Sequence, residues 1–322
     1  MHAGDLTRVL AAVGALAAGV AAVVVVAVLL SRTPGPVQAA PLASAAPTTA
    51  ARPPAKVPVA FPAPPDGAVV FARADGSNVL AFAAAPRGRA LLLQASVVGP
   101  QGKGVAGLDV SFTLDRRSAK GAACGAGCYK AQLRVTQRPS VAVVTVQKTR
   151  WRVALPHDWP PTDAGVLMAR ADRVWRSLRS LSFRERLASD ATHATTSVWR
   201  AVAPDRIAYT VTKGYSSVII GGRRWDRAPG GRWVASAQTS PIHQPVPFWV
   251  SVRDAHVLGT EQLRGHSVWR VSFFDPATPG WFEVALDKRT LHTLELSMFT
   301  TAHFMHDVYS GFDEPAGIRP PG

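Results

Sequence analysis

From residue 66 to its end the chain is a succession of short runs rich in Val, Phe, Trp, Tyr and Thr, cut by turn signals such as "DGS", "PRG", "GPQGKG" and "DKRT". It departs from that pattern once. In "AGVLMARADRVWRSLRSL" (164–181), Leu167, Ala171, Val174, Trp175, Leu178 and Leu181 recur at helical spacing with Arg and Asp between them. A single helix among so many period-two runs restricts the fold to antiparallel sheets, each of which must lay its apolar face on the helix or on another sheet. Pro160-Pro161, with Thr162 or Asp163 as cap, set the expected helix start.

The helix also divides the chain. Before it, residues 66–156 ("GAVVFARA", "NVLAFAAA", "RALLLQASVV", "GLDVSFTL", "CYKAQLRV", "VAVVTVQKTRWRVAL") carry strand-like runs at the spacing of an antiparallel, immunoglobulin-like β-sandwich of about seven strands. After it, residues 182–322 read as one long antiparallel meander, with turns at Gly221-Gly222, Gly230-Gly231, Arg264-Gly265 and 287–290. Residues 162–322 are therefore an α+β unit, in which the sheet must curl around something or be covered by the helix. The fold class is mainly β with α.

Residues 9–30, "VLAAVGALAAGVAAVVVVAVLL", are an uncharged apolar run of 22 positions. At about 1.5 Å per residue that length matches a hydrocarbon core roughly 30 Å thick, and it exceeds the usual signal-peptide core. Segment 1–31 is thus a transmembrane anchor or signal segment. Its length favours an anchor, and "VQA" at 37–39 is the rival cleavage signal. Either way residues 32 onward leave the cytoplasm; as an anchor the segment is single-pass and holds the extracytoplasmic bulk of the chain at the cell membrane. Residues 32–65 are Pro- and Ala-rich, with little to bury, and form an extended linker.

The formal net charge is +15, from 36 basic residues of which seven are Lys. An Arg excess beside so much Ala, Gly and Pro reads as codon usage. The basic residues are scattered, with no run beyond pairs such as Arg116-Arg117 and Arg223-Arg224, so nucleic acid is not an expected partner. Attraction to an anionic membrane surface stays open.

Cys124 and Cys128, in "CGAGCY", read as a disulfide in an extracytoplasmic domain, the glycines allowing the tight loop. Two thiols do not make a structural zinc site. In "TTAHFMHDVY" (300–309) His303, Met305 and His306 suggest copper, but strand alternation puts His306 on the face opposite His303 and Met305, so no metal site is assigned. "GYSSV" at 214–218 lacks the glycine of a nucleophile elbow, and no phosphate-binding loop is present. No cofactor is implied, and the chain is not expected to be an enzyme.

Seven of the nine tryptophans (Trp175, Trp199, Trp225, Trp233, Trp249, Trp269, Trp281) fall in the second unit. They serve as core packing or line an apolar cavity. Alternation along 294–308, taken as one strand, puts Leu294, Leu296, Met298 and Phe304 on one apolar face. With Trp175 and Trp225 these are the candidate ligand-cavity residues.

The stretch "DGSNVLAFAAAPRGRALLLQASVVGPQGKGVAGLDVSFTL" with "CGAGCYKAQL" resembles the YtkA-like immunoglobulin-type module found beside CopC- and CopD-type copper-resistance proteins. "SVWRAVAPDRIAYTVTKGYSSVIIGGRRWDRAPGGRWVAS", with Gly265 to Val271 and the turn at Asp287, resembles the LolA-like and LppX/LprG lipoprotein-carrier fold. The second resemblance implies a sheet curled into a half-barrel with the helix over its concave side, and a non-enzymatic protein that carries or senses a lipid or other hydrophobic ligand; the apolar run 9–30 adds the membrane anchor. The first implies an accessory role in copper homeostasis. A third reading is a scaffold for another envelope protein.

Overall fold

The computed structural model describes residues 63–322 apart from short gaps at 76–77, 100–102, 136–138, 189–193, 241 and 301–303. The apolar run 9–30 lies outside the described residues. Among the described residues no helix is long and apolar enough to cross a membrane.

Strands β1 (Val69–Asp75), β2 (Asn78–Arg87), β3 (Ala90–Val98), β6 (Ala122–Gly125) and β7 (Cys128–Arg134) form a sheet of order β1-β2-β3-β7-β6. Strands β4 (Val110–Leu114), β5 (Arg117–Lys120), β8 (Val141–Val146) and β9 (Thr149–Ala154) form a second sheet, β5-β4-β8-β9. Alternation turns Leu80, Phe82 and Ala84 of β2 onto the second sheet, where Phe112, Leu114, Val144 and Trp151 meet them. The Phe82 ring lies 6.3 Å from both Phe112 and Trp151.

The sandwich has more strands than its runs suggested, because the polar stretch 117–125 supplies two four-residue strands, β5 and β6. Cys124 and Cys128 form a disulfide across the β6–β7 hairpin, with their Cα atoms 5.0 Å apart. Gly127 in that turn has φ +68, and a Cβ there would sit 2.4 Å from the Val97 carbonyl oxygen, so the hairpin requires glycine.

The helix, α1 (Gly165–Ser177), is shorter than the 164–181 pattern. Leu178 adopts an extended backbone, and Leu181 belongs to the next strand, where its buried side continues the apolar spacing by coincidence of period. The N-cap position is Ala164, which has no side-chain cap, but Asp163, one of the two expected capping residues, accepts from Gly165 N through Oδ1 at 3.0 Å; Thr162 and Ala164 pair with a strand edge, through Val257 N to Thr162 O and Ala164 N to Ala255 O. At thirteen residues the helix is about 20 Å long.

Strands β10 (Ser180–Ala188), β11 (Ala194–Val202), β12 (Arg206–Val211), β13 (Ser216–Ile220), β14 (Arg223–Arg227) and β15 (Val234–Ala237) make one meander. Strands β16 (Arg253–Leu263), β17 (His266–Asp275), β18 (Gly280–Asp287), β19 (Thr293–Phe299) and β20 (Phe304–Ser310) make another. Pairing of β20 with β10 joins them into one antiparallel sheet of eleven strands, β15-β14-β13-β12-β11-β10-β20-β19-β18-β17-β16. The β16–β17 hairpin turns on Arg264 and Gly265, both at positive φ, as its right-handed twist demands. The sheet curls around α1, which buries Met168, Ala171 and Trp175 against its concave face.

The convex face of the β17–β20 half is apolar too, and the sandwich covers it. Phe274, Trp281, Phe299 and Phe304 pack on Ala68, Val70, Ala81, Ala83 and Ala85, the side of the first sheet facing away from its own sandwich core. The fit is large side chains against small ones, and Val70 N donates to Ser272 Oγ at 3.2 Å. Both faces of the β1–β3 part of that first sheet are therefore buried, one within the sandwich and one against the half-barrel.

Phe304 is 6% exposed at this seam. Phe304→Ala is expected to cost about 3–5 kcal/mol, the usual loss for a buried Phe, in urea unfolding. Because the seam ties the two units, amide exchange is expected to rise in β1 and β2 as well as in β20.

Candidate functional site

The register of the long sheet sets its concave surface residue by residue. Leu296, Asp307, Glu185, Ser197 and Val211 are successive cross-strand partners from β19 to β12. One row away, Tyr309, Phe183, Trp199, Tyr209 and Ser217 are partners from β20 to β13. The second row is a line of rings: Phe183 lies 5.3 Å from Tyr309 and 5.6 Å from Trp199, and Trp199 stacks on Tyr209 at 4.1 Å.

The β16–β20 side of this surface is filled by the helix. Trp175 meets Tyr309 at 4.9 Å and Trp249 at 5.7 Å, Trp249 meets Phe273, and Phe273 stacks on Phe282 at 4.9 Å. Leu296, Met298 and Met305 are buried in the same cluster. The β10–β13 side is less closed. It is spanned by the connection 238–252, whose Phe248 sits edge-on to Phe183 and whose Gln244 N donates to the Pro204 carbonyl. This strap is fastened by Asp275, whose carboxylate accepts from Val250 N, Ser251 N, Ser251 Oγ, Ala277 N and Thr278 Oγ1. Beneath it Ile207, Val211 and Tyr215 are half-buried rather than sealed.

Two polar features interrupt the apolar lining. Glu185 and Asp307 face each other across β10 and β20, both buried. Ser197 Oγ donates to Glu185 at 3.0 Å and accepts from Trp199 Nε1 at 2.7 Å, while Tyr309 OH donates to Asp307 Oδ2 at 2.7 Å. Asp307 Oδ1, Trp175 Nε1 and Trp249 Nε1 are buried without a partner among the described residues. Burial first, then the neighbouring Glu185, pushes the Asp307 carboxyl well up; burial also raises Glu185, against the pull of the Ser197 and Trp199 donors.

The second feature closes the outer end of the ring line. Asp226 accepts from Ser217 Oγ and Arg224 Nε, both at 2.7 Å, and Arg224 Nη2 reaches Tyr209 OH at 3.4 Å. Burial and then the hydrogen bond with the Tyr209 hydroxyl, which donates to Tyr215 OH at 3.5 Å, push the Tyr215 phenol up.

Of the residues expected to line a cavity, Trp175, Leu296 and Met298 meet on the concave side. The other three do not join them. Residues 293–309 are a hairpin and not one strand, so the parity count restarts after the turn: Met298 pairs with Met305 facing inward, and Phe299 pairs with Phe304 facing the sandwich. A register shift between Ala285 and Leu286 takes Leu294 out of that row, into a small cluster with Val268 and Ala285. Trp225 pairs with Val218, in the row of Ala208 and Arg200, on the convex side.

His303 lies outside the described residues. Met305 is in the concave core, and His306 points the other way, beside Ser297 Oγ at 3.0 Å. Glu185 and Tyr209 were not singled out from sequence, and Trp199 was named only as one of the seven tryptophans. The available sign was Glu185 in "SFRERLAS", a carboxylate at the apolar parity of Leu181 and Phe183.

No family model matches this chain, and no curated protein does. Among solved structures, the lipoprotein LppX of Mycobacterium tuberculosis is similar over 48% of this chain and 97% of its own, with 13% identity and a TM-score of 0.36. LprF of Mycobacterium bovis covers 48% of this chain and 98% of its own, with 9% identity and a TM-score of 0.35. A LolA superfamily protein from Nitrosomonas europaea covers 48% and 94%, with 7% identity and a TM-score of 0.22.

A carboxyl raised by folding takes up a proton as the chain folds, so its contribution to stability falls as pH climbs from about 4, the unfolded value, toward the raised folded value. Asp307→Asn is therefore expected to match the wild-type melting temperature near pH 4 and to exceed it at pH 8. Between the unfolded and the raised folded value the gain grows by about 1.4 kcal/mol per pH unit, the linkage of one proton. Thermal melts across that range check it, and parallel curves would contradict the assignment.

Proposed function

We propose that the half-barrel is a non-enzymatic binding module for an amphipathic, lipid-like molecule, displayed outside the cytoplasm by the apolar run 9–30 and the Pro-rich linker. The observation that carries this reading is the line of rings Phe183–Trp199–Tyr209, which leads from a buried core to the half-buried Tyr215 and the Arg224–Asp226 pair. Apolar contact followed by a charged, hydrogen-bonding end is the profile of a chain with a head group.

The site lies beneath the strap on β10–β13, with Trp175, Leu296 and Met298 as its inner wall. Thirteen helical residues cannot cover eleven strands, and the uncovered wing is where half-buried side chains gather. The sandwich serves as the rigid mount. Its order β2-β3-β7-β6 against β5-β4-β8-β9 supports the immunoglobulin-type reading.

A scaffold role is the second reading. It is favoured by β15, an edge strand open on one side with Val234 66% exposed, which suits addition of a partner strand. The copper reading has no comparable support, since Met305 and His306 face apart.

A fatty acid brominated along its chain tests the ligand reading. It is expected to quench wild-type tryptophan emission, to quench less in Trp199→Phe, and to bind at least about tenfold more weakly to Val211→Glu, through loss of apolar contact and a buried charge. An absence of quenching, together with no lipid on organic extraction of protein from its own membrane, assigns the module to the scaffold reading.

A further inference from the structure

The convex face of the β17–β20 half is covered by the sandwich; that of the β10–β15 half is met instead by the C-terminal tail at β11 and β12, where Arg200 Nη1 and Arg206 Nη1 donate to the Ala316 and Ile318 carbonyls at 3.2 and 3.4 Å, leaving Arg184, Arg186, Arg223 and Arg227 on either side of it. Register shows what this half presents. Arg184 and Arg186 on β10, Arg200 on β11, Arg206 on β12, and Arg223 and Arg227 on β14 all point away from the concave core and are exposed. Between them lie Val198, 44% exposed, and the half-buried Val218, Ile220 and Trp225.

Among the described residues of these strands no carboxylate shares that face. Glu185 and Asp226 point inward. Asp205 sits in the β11–β12 turn, and Asp313 and Glu314 of the tail lie at the rim, where Asp313 accepts from Arg179 N. Codon usage accounts for the number of arginines but not for the segregation of six of them onto one sheet surface free of acids. With strands about 4.8 Å apart, β10 to β14 span roughly 19 Å, more than a Debye length at physiological salt, so the field of this surface is that of an extended patch.

We infer that the convex face of β10–β14 docks on an anionic lipid bilayer, the arginines meeting phosphate head groups and Val198 and Trp225 entering the interfacial layer. Guanidinium matches phosphate geometry with two parallel donors, and each basic side chain near an anionic surface adds to binding. Apolar side chains among them distinguish a bilayer from a dissolved polyanion. The docking does not depend on what the concave face holds.

The full chain carrying Val198→Cys, labelled with an environment-sensitive dye, reads this directly, because Cys124 and Cys128 are engaged with each other. The dye is expected to shift blue with vesicles of phosphatidylcholine and phosphatidylglycerol but not with phosphatidylcholine alone, and to revert in about 0.5 M salt. The triple variant Arg184→Glu, Arg186→Glu, Arg223→Glu is expected to need roughly a hundredfold more lipid. Arg116→Glu, Arg150→Glu, Arg152→Glu changes the net charge equally on the sandwich and is expected to leave the curve in place.

All variants share residues 1–62, so anchoring contributes equally to each. If the triple variant does not fold, Arg184→Gln with Arg223→Gln, expected to need about tenfold more lipid, takes its place. Equal response to both vesicle types, or equal loss in the sandwich variant, overturns the inference. A dye that ignores phosphatidylglycerol yet shifts with polyglutamate assigns the face to an acidic protein and overturns it as well.

Discussion

An eleven-stranded sheet with apolar side chains on both faces cannot stand alone in water, and the rest of the described chain is arranged to cover it. At roughly 25 cal/mol per Å², the rings on its two sides represent too much exposed area for any open arrangement. The concave side receives α1 and the strap fastened by Asp275. The convex side receives a ready-made sheet whose alanines accept Phe274, Trp281, Phe299 and Phe304. The sequence of layers is four-stranded sheet, five-stranded sheet, eleven-stranded sheet and helix.

The centre of this stack holds a contradiction that packing alone would not produce. Glu185 and Asp307 face each other in a setting of rings, where a pair of aliphatic side chains would be more stable. Burial discourages ionisation of both; Glu185 has the Ser197 hydroxyl and the Trp199 indole as donors, and Asp307 the Tyr309 hydroxyl. Perturbed acids in an aromatic recess are the kind of feature retained for use, and their nearest neighbours, Trp199 and Tyr309, are the rings of the proposed binding line.

Much of the architecture was legible in the sequence because it rests on period. The change from alternation to helical spacing at Leu167–Trp175 placed the helix, and the turn residues at Gly221 and Arg264-Gly265 placed hairpins that the structure contains. What failed did so where parity was carried through an unseen break. Leu294 was displaced by a bulge, Phe304 lies past a turn, and Leu181 kept the helical count while belonging to a strand. Trp225 shows a different limit: an aromatic residue in an edge region has no local signal for which face it serves, since both faces of this sheet bury rings. The acid pair required the pairing of β10 with β20, two strands more than a hundred residues apart in the chain, which no local pattern reveals.

The β19–β20 hairpin ends in two adjacent cross-strand pairs of opposite sense, Met298 with Met305 toward the helix and Phe299 with Phe304 toward the sandwich. A slip of one residue in either strand exchanges them, sending phenylalanines into the barrel and methionines into the seam. The two interiors are thereby bound to a common reading frame. An insertion or deletion that a solitary half-barrel would absorb here must satisfy two interiors at once.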